Sequence, residues 1–456
     1  MAKVIKINKG LDISLKGKAS QEIVSAGFAE TWSLTPGDYH GLVPKVLVSI
    51  GESVKAGTPL ISDKNHPEIN FVSPVSGEIV DIVRGEKRKL LNILIKSDNK
   101  TEYLRYSISN PLEKSGEEIK SSLCKSGLWT YIKQRPYDLI ANPDKKPKAI
   151  FVNGFDSNPL SPDYDFIIKG QGLDFQAGLN ALSKLTEGTV YLGLPIGCKS
   201  AEMKNALNVQ VRFFEGPHPA GNISVQINHI EPLNKGEVVY TVCALDVLLI
   251  GKFFNKGIVD LTRLVALTGP EVRTPKYYRC KPGIPIKALL EGNVYNEIPL
   301  RYINGNALTG TMVEPEGYLG AYSNQMTVLH EGTDIHEFFG WIMPRFETFS
   351  KSKTYFTWLF KKLFPDKEFE LDTRVLGGER ALIMSGEYDS VFPMDILPEQ
   401  LVRACITGDI ESQENLGLYE VAPEDFALCE YICTSKVEVQ KVIREALDNL
   451  KKENGE

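Results

Sequence analysis

No stretch of this 456-residue chain approaches the roughly 20 uncharged apolar residues that a bilayer-spanning helix requires. The best candidate, Val238 to Ile250, contains Asp246 and reads as a buried strand. The opening MAKVIKINKGLDISLKGK lacks the apolar run of a secretory signal. Basic charge is not in excess either, since 52 Lys and Arg face 58 Asp and Glu. A mildly acidic chain cannot neutralise a phosphate backbone broadly, so nucleic acid is not expected as a partner. Cysteine is scarce, with seven residues scattered over the length. That odd, dispersed set fits a reducing compartment better than a disulfide framework. Internal repeats and low-complexity stretches are missing, which excludes fibrous and disordered classes. A soluble, cytoplasmic protein is expected.

Catalytic signatures are equally thin. There is no G-x-S-x-G elbow and no Walker A loop. Gly170-Gln171-Gly172 reads as a turn after a strand that opens a helix, but the third glycine of the dinucleotide fingerprint is replaced by Phe175. A phenylalanine there prevents the close helix–strand approach, so a plain turn is favoured over a phosphate loop. His330 and His336 are six residues apart, about 240° around a helix, which does not match a zinc-protease pair. Cys405, Cys429 and Cys433 are three thiols where a [4Fe–4S] cluster needs four, and they read as small core residues. No catalytic residue and no metal site is therefore expected.

What is present is ordinary globular material, 42% hydrophobic and 24% charged, enough for about three domains. Residues 1–100 alternate short apolar runs with Gly, Pro and Asp turns, which predicts β structure. Two glycine-marked halves, VSIGESVKAGTPL and FVSPVSGEIVDIV, resemble a lipoyl/biotinyl-like barrel-sandwich hybrid. Lys64 lacks the flanking residues of a carrier lysine, so the module is expected to be structural. Residues 101–147 read as a helical connector. Over 148–255 candidate strands at 148–153, 166–168, 189–192, 209–214 and 238–243 alternate with helical stretches, predicting a Rossmann-like parallel sheet. Residues 256–330 return to β, and 331–456 read as mostly helical, ending in an amphipathic helix at 438–452. The loop Gly216-Pro217-His218-Pro219-Ala220-Gly221 follows a candidate strand where α/β domains place ligands, so Gly216, His218 and Gly221 are ligand-loop candidates; a structural turn is favoured. Arg84, Lys87 and Arg88 concentrate positive charge on one hairpin and are candidates for docking. In TYFTWLFKKLF, over 354–364, the residues Tyr355, Trp358 and Phe360 would lie along a broad apolar helix face suited to a partner, although domain core is the commoner use of such a stripe.

Long runs in this order resemble one family: IKINKGLDISLKG, VSPVSGEIVDIVRGEKRKLLNILI, GPHPAG, FFGWIMPRFETFS and FPMDILPEQLVRACITGDIESQENLGLYEVAPEDFALCEYICTSK. The chain is similar to the A subunit of the bacterial Na+-translocating NADH:quinone reductase over essentially its whole length. More distantly it resembles the C subunit of the Rnf complex and the NADH-binding flavoprotein of respiratory complex I. The resemblance implies four parts: lipoyl-like module, Rossmann-like domain, β-grasp domain of the soluble-ligand-binding type, and C-terminal helical domain. It implies a peripheral subunit on the cytoplasmic face of the inner membrane, working with five other subunits that together oxidise NADH, reduce quinone and export Na+. The resemblance further implies that the complex uses FAD, FMN, riboflavin, an iron–sulfur centre and quinone, of which this chain would hold neither flavin nor cluster, while quinone contact is open. Gln226-Ile227-Asn228 stands where a His-x-His pair would be expected after GPHPAG. The competing reading is an independent flavin- or NADH-dependent oxidoreductase.

Overall fold

The computed structural model describes residues 4–107, 109–295, 297–335, 348–351, 355, 357, 364 and 366–455. Near the N-terminus, seven short strands form two small sheets. One has the order β3 (Thr31–Leu34), β9 (Leu90–Ser97), β8 (Gly77–Arg84), β5 (Ser53–Val54), and the other β4 (Pro44–Val46), β6 (Pro59–Asp63), β7 (Asn70–Val72). Leu60, Ile61, Ile79, Ile93 and Ile95 are fully buried and belong to one core, so the two sheets close on each other. At Gly77 a β-carbon would lie 2.0 Å from the Lys96 carbonyl oxygen, so only glycine lets β8 start against β9. Lys64 is exposed in the β6–β7 connection.

The middle of the chain builds a seven-stranded sheet. Its parallel centre is β12 (Ala149–Asn153), β13 (Thr189–Pro195), β14 (Gln210–Glu215) and β15 (Val239–Cys243), arranged β14-β13-β12-β15. The chain therefore winds one way from β12 and then reverses, which creates a switch point between β12 and β15. Alternation along β12 serves two cores: Ile150 and Val152 join one, Ala149 and Phe151 the other. Helices α3 (Gly172–Leu182) and α6 (Ala244–Lys256) cover the first face, and α5 (Ile223–Ile230) covers the second. Gly178 and Val247 bring α3 and α6 together, because a β-carbon on Gly178 would lie 2.2 Å from the Val247 carbonyl oxygen.

Several sequence expectations are corrected here. The run Val238 to Ile250 is strand only to Cys243; from Ala244 it is the start of α6, and burial on both elements explains why the apolar pattern does not change at the junction. Phe166 to Ile168 is not a strand but the end of α2 (Tyr164–Ile168), capped by the Asp163 side chain accepting from the Phe166 N–H. The connector 101–147 is helical chiefly in α1 (Gly116–Lys125); it then supplies β10 (Lys133–Arg135) and β11 (Leu139–Ile140), which extend the sheet antiparallel beyond β15.

The second large sheet has six strands, ordered β19 (Thr311–Val313), β18 (Leu300–Asn304), β20 (Gln325–His330), β16 (Arg263–Thr268), β17 (Lys276–Cys280), β2 (Ser20–Ser25). The first strands of the chain are split between the two large sheets. β1 (Val4–Lys6) pairs in parallel with β14 of the α/β sheet, and β2 pairs with β17 of the second sheet. Residues 366–397 are not helical as expected; apart from a single turn at Tyr388–Ser390 they follow an irregular path, interrupted by Gly377, Gly378, Gly386 and Pro393. Helices resume with α8 (Pro398–Thr407), α9 (Ile410–Asn415), α10 (Ala427–Ile432) and α11 (Val439–Glu453). α11 buries Val439, Ile443, Ala446, Leu447 and Leu450 along one stripe, in a core shared with Ile5, Ile7 and Phe214. Among the described residues no helix is long and apolar enough to cross a membrane.

Candidate functional site

At the C-terminal ends of the parallel strands, where this topology places ligands, the chain packs its own loops. The loop after β14 holds His218, which is 2% exposed. Its Nδ1 lies 2.9 Å from Ser157 Oγ in the turn after β12, and Ser157 Oγ also accepts from the Gly221 N–H at 2.8 Å. Asn153 Nδ2 donates to the Gly221 carbonyl at 2.7 Å, and Gln226 Nε2 donates to Asn153 Oδ1 at 2.9 Å. The N-terminal segment crosses above: Asp12 accepts from the His218 N–H, and the Leu11 N–H donates to the His218 carbonyl, both at 2.8 Å. A β-carbon on Gly216 would meet the Ile7 carbonyl oxygen at 2.1 Å, and one on Gly221 would meet the Ser157 nitrogen at 2.5 Å. The glycines of this loop thus permit close approach of protein to protein. Burial pushes the His218 imidazole down to about 4, so the ring is neutral near pH 7. Asp12 bonds the backbone of His218 and not its ring, so no carboxylate–imidazole–hydroxyl relay is assembled.

Gly170 and Gly172 lie elsewhere. They form the turn between α2 and α3, not a turn after a strand, because residues 164–168 are helical. The Gly170 N–H, of the kind that would cradle a phosphate, donates to Glu202 Oε1 at 2.9 Å, which holds the Glu202 carboxyl below its ordinary range. Two of the three candidate cysteines are held protonated by burial: the Cys405 thiol is pushed up to about 12 and Cys429 is raised well above its ordinary value. Cys433 Sγ is 3.0 Å from the Tyr388 hydroxyl.

A polar cluster that the sequence pattern did not assemble sits where β15 runs into α6. Cys243 Sγ is 3.3 Å from the Tyr164 hydroxyl, and Arg263 Nη1 donates to Asn324 Oδ1 at 3.1 Å. Arg263 Nη2 lies 3.3 Å from Asp246 Oδ1, and the guanidinium stands 5.3 Å over the Tyr131 ring. Burial raises the Tyr164 phenol and the Asp246 carboxyl and pushes the Cys243 thiol up to about 12. Asp246 was visible as the lone charge in an apolar run, but nothing near it in sequence pointed to Arg263.

The docking candidates separate. Arg84, Lys87 and Arg88 are brought together, all exposed at the turn between β8 and β9, with Arg84 Nη1 donating to the Arg88 carbonyl at 3.2 Å. Trp358 and Phe360 lie outside the described residues, as do His336 and most of the 354–364 segment; Tyr355 is half-buried.

Fold and site together define a mixed α/β multidomain protein in which the C-terminal ends of the parallel strands are closed by the chain's own side chains. Family models match three successive stretches: the NqrA N-terminal barrel-sandwich hybrid domain over residues 5–98, the NqrA second alpha/beta domain over 114–259, and the NQRA C-terminal domain over 264–314. The chain is 37% identical to the A subunit of the Na+-translocating NADH-quinone reductase from a Neisseria meningitidis serogroup A strain, covering 99% of this chain and all of that one. It is 35% identical to the same subunit of Rhodopirellula baltica, over 99% of this chain and 98% of the other. It is 37% identical to that of Serratia proteamaculans, over 99% and 100%. A likeness to an NAD+-reducing NiFe hydrogenase in the H2-reduced state is partial, with TM-score 0.37, 11% identity and 48% of each chain covered. The chain belongs to the NqrA family, the A subunits of the Na+-translocating NADH-quinone reductase.

Proposed function

We propose that this chain is the peripheral subunit of a six-subunit membrane complex that oxidises NADH, reduces quinone and exports Na+, and that it holds neither flavin nor iron–sulfur cluster. FAD, FMN, riboflavin and the iron–sulfur centre then belong to the other five subunits, and this chain is quinone-associated through the assembled complex on the cytoplasmic face. The likeness along the whole chain to named A subunits supports the membership, and the Gly170 N–H supports the lack of a flavin: the glycine turn with a nucleotide-binding look directs that donor to Glu202 Oε1. A carboxylate already in that place disfavours a phosphate by charge and by hydrogen bonding. Three thiols, of which Cys405 and Cys429 are held protonated by burial, argue against a cluster in the same way. In finer terms, the α/β sheet would be a Rossmann-like domain near 148–255 and the second sheet a β-grasp-like domain near 256–330. Arg84, Lys87 and Arg88 would dock against the partner subunits or anionic headgroups.

The test is an absorbance scan and an NADH-oxidation assay on the purified full chain. A colourless protein without NADH oxidation is expected. Stoichiometric flavin absorption that survives gel filtration would overturn the reading and favour an independent flavin enzyme.

A further inference from the structure

A cavity of about 350 Å3 lies in the seam between α2 and α6 on one side and strands β16, β17 and β2 of the second sheet on the other. This is within the size range of small-molecule sites, roughly 300–1,000 Å3. One wall is apolar, made by Phe166, Leu245, Leu248, Leu249 and Leu264. Four cationic side chains also line it, Lys169, Lys252, Arg263 and Arg279, and among the described residues no acidic side chain does. The lining is cationic although the whole chain carries −6, with Asp246 beside Arg263 and with Asp260 and Asp174 near Lys252 outside the lining. The cations sit at graded depth: Lys169 and Arg279 are exposed, Lys252 is half-buried, and Arg263 is 8% exposed.

Arg263 is the unusual member. Its Nη1 donates to Asn324, while Nε and Nη2 are buried without a well-aligned hydrogen bond, although the guanidinium also interacts with Tyr131 and pairs through Nη2 with Asp246. Asp246 lies 3.3 Å from Nη2, yet its Oδ1 is likewise without a hydrogen bond, so the two charges are close but out of line. Buried N–H donors without an aligned hydrogen-bond acceptor are unfavourable, and a ligand oxygen at the Nε–Nη2 edge would relieve that. That edge of a guanidinium matches the two oxygens of a carboxylate or phosphate.

We propose that this cavity binds an anionic amphiphile, a molecule carrying one carboxylate or phosphate head on an apolar body. The body lies along Leu245, Leu248 and Leu249, and the head is met by Arg263 and Lys252. Burial lowers the Lys252 ammonium from its ordinary value, so an anion beside it also relieves the desolvation of that charge. Lys169 and Arg279 at the mouth raise the local concentration of such a ligand.

The experiment is calorimetric titration of the full chain with dodecanoate, monododecyl phosphate and dodecanol, each below its aggregation limit. One site per chain is expected, with at least one anion binding about tenfold or more tightly than the alcohol. Preference between the two anions identifies the head group. Leu248→Trp fills the cavity and should abolish binding. Lys252→Gln combined with Arg279→Gln, both outside the buried Arg263–Asp246 pair, should weaken binding about tenfold and flatten its salt dependence. No binding of either anion, equal binding of the alcohol, or affinity unaffected by the double substitution would overturn the proposal.

Discussion

His218 shows how one side chain can look catalytic and act as a tie. It joins the loop after β14 to the turn after β12 through Ser157, and its own backbone is clasped by Asp12 and Leu11. Its folded pKa, pushed by burial to about 4, lies below the ordinary value of 6.5. Below pH 6.5 the unfolded chain takes a proton at this ring that the folded chain refuses. Stability is therefore full above about pH 6.5 and is lost as pH falls toward 4, by about 3 kcal/mol at most. His218→Gln should remove that component, and urea midpoints measured from pH 7 to pH 4 should fall less steeply in the variant than in the parent. Parallel slopes would show that the ring titrates normally.

At the scale of elements, the β8–β9 hairpin is the clearest outward-facing device. Its turn carries Arg84, Lys87, Arg88 and Lys89 with only Glu86 opposing them, and all five are exposed. Lys87 and Arg88 have φ of 50° and 60°, left-handed backbone that makes the tight tip of the turn, and both side chains are exposed. Charges so placed act over about a Debye length, about 10 Å at 0.1 M salt, so any docking through them would be salt-dependent. Replacing Arg84, Lys87 and Arg88 with Glu should lower retention of the chain on membranes that hold its partner subunits, most strongly at low salt. Unchanged retention at low salt would remove the hairpin from the docking surface. Because the three side chains are solvated, the unfolding free energy of the isolated chain should move by no more than about 0.5 kcal/mol per substitution.

At the scale of the molecule, the N-terminal segment is the seam. β1 edges the α/β sheet, β2 edges the second sheet, and Ile5, Ile7, Ile13 and Leu15 along this segment are buried. Four such side chains contribute about 1.5–3 kcal/mol each, a sum comparable to the whole stability of a typical domain. Removing residues 1–18 should therefore abolish the cooperative thermal transition of the full chain. A melting temperature within a few degrees of the parent would show that the sheets stand without it.

The sequence alone was enough for whatever depends on neighbours along the chain. The parallel strands at 149–153, 189–195, 210–215 and 239–243 and the amphipathic last helix were legible because period and turn residues are local. So was the family, because its runs are contiguous. Val238 to Ile250 was misread because strand β15 and helix α6 are both buried, and uniform burial erases the period that distinguishes them. Only the tertiary structure decided that residues 4–25 would serve two sheets, that Glu202 would fill the Gly170 turn, and that Arg263 would meet Asp246 beside a cationic cavity. Those pairings join residues 17 to more than 200 positions apart, and burial, not local propensity, selects them.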